Sequence, residues 1–154
     1  MNKFLKAVGW IVLSQMAGFI GAGLTATSVQ TWYVTLNKPW FTPPNWLFGP
    51  MWLTLYTLMG LATFWISEKK TKESKSAVKF FLIHLLVNAL WLPVFFGLRE
   101  VFLALVIIAI MWVMIVVLIR KYGKIDKKAG LALIPYLMWV SVATALNVAI
   151  LVLN

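Results

Sequence analysis

VFLALVIIAIMWVMIVVLI, residues 101–119, carries no charged side chain and lies between Glu100 and Arg120. At about 1.5 Å of rise per residue, a helix of this length reaches about 28 Å. That matches a bilayer hydrocarbon core of about 30 Å. Only a helix satisfies its own backbone groups in lipid, so the segment reads as a transmembrane helix. Four more runs lack Asp, Glu, Lys and Arg: Ala7–Asn37, Pro39–Ser67, Phe80–Leu98 and Ala129–Asn154. The expected fold class is therefore all-α, an integral membrane bundle of five helices. The expected spans are about 5–27, 44–67, 78–97, 101–120 and 129–153, in a single domain. Strands of a membrane barrel need alternating segments of about ten residues, and none is present. Charged residues make up 12% of the chain, against roughly 25% in soluble domains, too few to cover a water-facing globule.

The net charge of +10 is unevenly placed. With five spans, the N-terminus and the loops after spans two and four share one side, which holds twelve of the fourteen Lys and Arg residues. Only Lys38 and Arg99 fall on the other side. Such a bias places the N-terminus in the cytoplasm and the C-terminus outside. Basic loops of this kind contact anionic lipid, so the bilayer is the expected partner and nucleic acid is not. The chain has no cysteine, which excludes disulfides and thiolate metal sites. Its start resembles a signal peptide, but the apolar run exceeds the usual 7–15 residues and reads as the first span.

Span one is rich in small residues, with Ala17/Gly21 and Gly18/Ala22 spaced four apart. That spacing lets another backbone approach closely, whether a neighbouring span or a second copy of the chain. The connection Ser28–Asn45 carries Trp32, Tyr33, Trp40 and Phe41 together with Pro39, Pro43 and Pro44. Long connections without periodicity are often functional lids, and prolines stiffen this one. An interfacial aromatic belt is the alternative. Thr42 before Pro43-Pro44 reads as the cap that starts span two. Pro50, Pro93 and Pro135 lie within spans and should free the carbonyls of Trp46, Ala89 and Leu131. The short link Leu98–Glu100 makes spans three and four antiparallel neighbours.

Conventional catalytic groups are missing from the spans. Glu68, Glu73, Glu100 and Asp126 all lie in loops, so no intramembrane carboxylate pair exists for acid–base work. His84 is the only histidine, which leaves no histidine cluster for a metal. It reads as a structural or lipid-facing residue, or as a ligand contact. Neither a metal nor a cofactor is expected. Helical spacing instead aligns Phe48, Trp52, Tyr56 and Met59 on span two. It likewise aligns His84, Asn88, Trp91 and Phe95 on span three. On span five it aligns Trp139, Ala143, Leu146 and Ile150, with Asn147 beside them. An amide left unpaired in hydrocarbon is costly, so Asn88 and Asn147 should face inward. They either bond within the bundle and hold helices together, or anchor a flat apolar guest in a cavity walled by the aromatic stripes.

Trp32-Tyr33-x2-Leu36-x-Lys38-Pro39-x2-Thr42-Pro43-Pro44 opens a series of motifs that continues with Phe48-Gly49-Pro50-Met51-Trp52-x2-Leu55-Tyr56-x2-Met59-Gly60-x-Ala62. Asn88-x2-Trp91-x-Pro93-x-Phe95-Phe96-Gly97, Pro135-Tyr136-x2-Trp139 and Ala145-Leu146-Asn147 follow in order. In this order they resemble the TspO/MBR family of translocator and tryptophan-rich sensory proteins, through nearly the whole chain. The resemblance implies a pocket beneath the first loop for porphyrins, haem-pathway intermediates and drug-like aromatic amides. It also implies a homodimer and, for a bacterial member, the cytoplasmic membrane. Carried over position by position, the ligand contacts are Tyr33, Pro43, Phe48, Trp52, Tyr56, Asn88, Trp91, Trp139, Ala143, Leu146 and Asn147, with Trp52 and Trp139 foremost. Relatives are also linked to light-dependent porphyrin breakdown, for which Trp52 and Trp139 are the candidate catalytic residues.

Two departures stand out. Sterol-binding members carry Tyr and Arg after the Leu-Asn pair, where this chain has Val148 and no later basic residue. The residue before the span-three proline, usually Ser, is Leu92. Three functions remain in view: a receptor or carrier for tetrapyrroles, a porphyrin-degrading enzyme, and a regulatory partner of other membrane proteins. In the first, Lys38 and Arg99 are the expected partners of porphyrin carboxylates.

Overall fold

A computed structural model describes residues 1–154. The chain forms α1 (Lys3–Thr31), α2 (Asn45–Ser67), α3 (Lys72–Leu92), α4 (Val101–Ile125), α5 (Lys127–Ala132) and α6 (Ile134–Leu153), with no strand. One 3₁₀ turn, Tyr33–Thr35, follows α1, and one π turn, Pro93–Gly97, extends α3. Five stretches are long and apolar enough to cross a membrane: Lys3–Thr35, Asn45–Ser67, Lys72–Gly97, Val101–Ile125 and Lys127–Leu153. The protein is an integral, multi-pass membrane protein. Several helices run beyond their uncharged cores, because polar residues continue a helix freely once it leaves lipid. Thus α3 starts at Lys72, where the Thr71 hydroxyl accepts from the Ser74 N–H at 3.1 Å and caps it. Residue 78, the expected start, lies more than a turn further on.

Pro135 divides the fifth span, since Leu133 separates α5 from α6. Asp126 caps α5 by accepting from Lys128 N at 3.0 Å. Pro50 leaves α2 unbroken. Pro93, lacking an N–H, coincides with the widening of α3 into a π turn, which closes with Leu98 N donating to Pro93 O at 2.9 Å. The wide turn buries Val94, Phe95 and Phe96 together. Thr42 does not cap α2. Its N–H and its hydroxyl both bond Pro39 O, at 3.2 and 2.7 Å, so it closes a turn inside the loop. Pro44 is the residue that precedes the helix.

α1 packs along α2, α3 lies against α4 as the short link requires, and α4 holds α5 and α6. The α1–α2 approach is closest in the half nearest the N-terminus. A Cβ on Gly60 would lie 2.5 Å from Ile11 Cα, so only glycine allows this contact. Gln15 Nε2 spans the same seam, donating to Leu53 O at 2.9 Å and Thr57 Oγ1 at 3.1 Å. Two ion pairs, Lys6–Glu68 at 3.0 Å and Lys69–Asp126 at 3.1 Å, tie the helix ends on that side. The small-residue face of α1 is used within the chain. Gly18 faces the Tyr56 ring and Gly21 faces Leu92.

The centre between α2, α3 and α6 is filled by large side chains rather than by close backbones. Trp52 packs on Tyr56 (5.6 Å between centroids), Trp91 (6.3 Å) and Tyr136 (6.4 Å). Behind them Phe81, Leu55, Met59, Met111, Ile115 and Leu118 are fully buried.

Candidate ligand-binding site

α1 and α2 separate above the Gln15 bridge and leave a cavity of about 430 Å³. α1 supplies Gln15, Gly18, Phe19, Ala22, Thr25, Ala26, Val29 and Gln30, and α2 supplies Asn45, Phe48, Gly49, Trp52, Leu53 and Tyr56. Tyr33, Trp91, Leu92 and Phe96 complete the lining, which contains no charged side chain. The rim opens sideways, toward the membrane's apolar core: Phe19 is 67% exposed and Leu53 57%. Small residues on α1 make the space: Ala22 and Ala26 present little to the rings of α2, while Gly18 lets the Tyr56 ring pack against the helix.

Five of the eleven expected contacts line this cavity: Tyr33, Phe48, Trp52, Tyr56 and Trp91. The other six do not. Pro43 lies in the loop, outside the lining. Asn88 is buried behind Tyr56, whose hydroxyl donates to Asn88 Oδ1 at 2.6 Å. Asn147 accepts from Trp91 Nε1 at 3.2 Å and donates to Val101 O at 2.9 Å. Both amides therefore bond within the bundle, the first of their two readings. Trp139, Ala143 and Leu146 lie in the core. Phe48, which lines the cavity, is edge-on to Trp139 at 5.7 Å and to Tyr33 at 6.5 Å. Trp139 Nε1 and Tyr33 Oη are buried and have no hydrogen-bond partner.

The α1 residues escaped the sequence reading. Their only signal was the run of small side chains, which says that something approaches closely and not whether a void remains beside it.

The loop above the cavity divides its aromatics. Tyr33 is buried against Phe48 and Phe96, and Trp32 meets Phe95 edge-on at 5.6 Å. Trp40 is 95% exposed. Buried and exposed aromatics thus coexist in one segment. The loop is pinned near its middle, at Asn37 and Lys38. Lys38 Nζ donates to the carbonyls of Tyr33 (2.8 Å) and Leu36 (3.1 Å), and lies 4.8 Å from the Tyr33 ring centre. Asn37 N donates to Asn154 Oδ1, and Asn154 Nδ2 donates back to Asn37 O, both at 3.0 Å. Arg99 sits 5.8 Å over the Trp32 ring. Neither cation lines the cavity; both stand against aromatic rings of this loop.

The model of the TspO/MBR family matches residues 10–153. The chain belongs to the TspO/MBR family. It is 43% identical to the tryptophan-rich protein TspO of Archaeoglobus fulgidus over 153 residues, 99% of each chain. It is 34% identical to the tryptophan-rich sensory protein of Cereibacter sphaeroides, covering 94% of this chain and 92% of that one. Similarity extends to the translocator protein of Bos taurus, also 34% identical, over 94% and 87% of the two chains. Within this TspO/MBR chain the wall rings Trp52 and Trp91 come from family motifs in α2 and α3.

Proposed function

We propose that this protein is a membrane receptor for flat, largely apolar ring systems, with porphyrins and related tetrapyrroles as the principal class. The observation that carries this reading is an uncharged cavity of about 430 Å³ faced by Trp52, Trp91, Tyr33, Phe48 and Tyr56. Aromatic faces stack on flat guests and offset the loss of water or lipid contact. Because no cation lines the cavity, the propionates of a porphyrin stay at its mouth. There Lys38 keeps one ammonium N–H beyond its two carbonyl bonds, with Arg99 nearby over Trp32. Sideways opening suits a guest dissolved in the membrane. The seam below, closed by Gly60 against Ile11 and by the Gln15 bridge, favours binding from one side over passage through the bundle. The basic end of the bundle faces the cytoplasm in this proposal, following the bias of twelve cations to two.

Tryptophan-fluorescence titration with several porphyrins tests the proposal. Trp52→Ala should weaken binding about tenfold, a loss of about 1.4 kcal/mol. Trp139→Ala should act less strongly, through the freed Phe48 ring. Lys38→Ala with Arg99→Ala should lower affinity for porphyrins at low salt and leave uncharged rings unaffected. Equal porphyrin affinity in wild type and Trp52→Ala would sink the reading. Light-dependent porphyrin breakdown is the second reading, favoured by the contact of Trp52 with both the cavity and the Trp91 ring at 6.3 Å. It requires a product that forms only under illumination and disappears in Trp52→Phe.

A further inference from the structure

Behind the cavity wall runs a chain of buried polar groups that no ligand contact explains. Tyr56 lines the cavity. Its hydroxyl lies 2.6 Å from Asn88 Oδ1, Asn88 Nδ2 lies 2.7 Å from Tyr136 Oη, and Tyr136 Oη lies 2.8 Å from His84 Nε2. All four residues are buried, and His84 and Tyr136 are fully so. The chain crosses from α2 through α3 to α6 and back to α3. It ends at His84 Nδ1, which lies beside the Phe81 carbonyl one turn back, too poorly aligned for a full hydrogen bond.

Every hydrogen bond in this chain survives a reversal of direction. With the amide oriented as described, Tyr56 donates to Asn88 Oδ1, Asn88 donates to Tyr136, and Tyr136 donates to Nε2 of a neutral imidazole. The imidazole hydrogen is then on Nδ1. A half-turn of the Asn88 carboxamide exchanges its oxygen and nitrogen with the heavy atoms in place. His84 Nε2–H then donates to Tyr136, Tyr136 donates to Asn88, and Asn88 donates to the Tyr56 oxygen. The O–H of Tyr56, a residue of the cavity wall, is then released from Asn88. The first direction turns an N–H at His84 Nδ1 toward the Phe81 carbonyl, whereas the second turns a lone pair toward it. Without a guest the chain therefore favours the hydrogen on Nδ1.

We infer that the Tyr56–Asn88–Tyr136–His84 chain is a hydrogen-bond relay of reversible direction, through which the cavity recognises either a donor or an acceptor on its guest and registers the choice in the tautomer of His84. A guest with an acceptor takes the Tyr56 O–H and drives the chain the other way, moving hydrogen to Nε2. A guest with an N–H donates to the Tyr56 oxygen and holds hydrogen on Nδ1. Tyr56 is thus a specificity residue and Asn88, Tyr136 and His84 are positioning residues. The inference rests on the reading of the cavity as a binding site.

His84 is the only histidine, so nitrogen-15 labelling of histidine gives one imidazole to observe. The test is solid-state NMR of the labelled full-length protein in lipid nanodiscs, at mildly alkaline pH. The probes are acridine, whose ring nitrogen only accepts, and carbazole, whose N–H only donates. Tryptophan quenching, and its loss in Trp52→Ala, establishes that each probe occupies the cavity. Acridine should convert the major tautomer from Nδ1–H to Nε2–H, and carbazole should leave Nδ1–H in place. Tyr136→Phe, outside the cavity lining, should keep probe binding and abolish the acridine response. If both probes bind and the tautomer is the same with each, the relay is refuted and the binding reading stands. If neither probe binds, both fall. The wild-type comparison decides the matter even where the variant fails to fold.

Discussion

Gly60→Ala offers the sharpest test of the seam that closes the cavity from below. A methyl group at this position would lie 2.5 Å from Ile11 Cα and 2.7 Å from Ile11 N, both backbone atoms that cannot rotate away. Carbon atoms pack at roughly 3.5–4.0 Å, so α1 and α2 must part by about 1 Å. That displacement carries the Gln15 Nε2 bonds to Leu53 O and Thr57 Oγ1, now 2.9 and 3.1 Å, out of hydrogen-bonding range. Overpacking of this kind costs about 1–3 kcal/mol, and the lost amide bond adds about 1 kcal/mol. Alanine's better helix propensity returns about 1 kcal/mol. The net expectation is a destabilisation of about 1–3 kcal/mol. Gly23→Ala is the control, because a Cβ there meets nothing within 4 Å. It should leave stability unchanged or raise it by up to about 1 kcal/mol. Reversible unfolding in mixed micelles, followed by circular dichroism, compares the two. If Gly60→Ala unfolds no earlier than Gly23→Ala, the close approach of α1 and α2 is wrong, and with it the sealed lower end of the cavity.

Two more expectations follow from the same geometry. Trp91→Phe removes the N–H that Asn147 Oδ1 accepts and should destabilise the bundle by about 1–3 kcal/mol, measured by the same unfolding; a double-mutant cycle with Asn147→Leu should show clear coupling between the two. Acid should loosen the charged end: bonds from Lys6 and from Lys69 hold the Glu68 and Asp126 carboxyls below the usual carboxylate range. Their contribution is therefore present above the unfolded carboxyl values and fades as pH falls through the lowered folded ones. Protection factors of amides at the start of α1 and the end of α2, taken against the intrinsic exchange rate at each pH, should fall over that window, and Lys6→Met should flatten the part of the response due to Glu68.

Much of this architecture is legible without coordinates because lipid leaves the chain few choices. A charge-free run of span length must be a helix, so the five spans follow from where Asp, Glu, Lys and Arg are absent. The link Leu98–Glu100 is too short to join anything but neighbours. Trp52 and Trp91 as wall rings follow from helical spacing together with the family motifs. Inward-facing amides at Asn88 and Asn147 follow from the cost of leaving them bare. Where polar residues continue a helix past the membrane, as at Lys72, the rule loses its grip and the ends shift.

The position of the cavity is another matter. Sequence alone determined which side chains turn inward; it did not determine which of them would fill the interior. Asn88 and Asn147 find partners inside the bundle, and Phe48 packs edge-on to Trp139. The space between α2, α3 and α6 is therefore occupied by the protein's own rings. Room for a guest opens instead where the small residues of α1 stand opposite the rings of α2. Small residues permit close approach, as at Gly60, Gly21 and Gly18, or leave a void, as beside Ala22 and Ala26. Which outcome holds at each height depends on the partner helix's side chains and tilt there, and these are known only once the helices are packed.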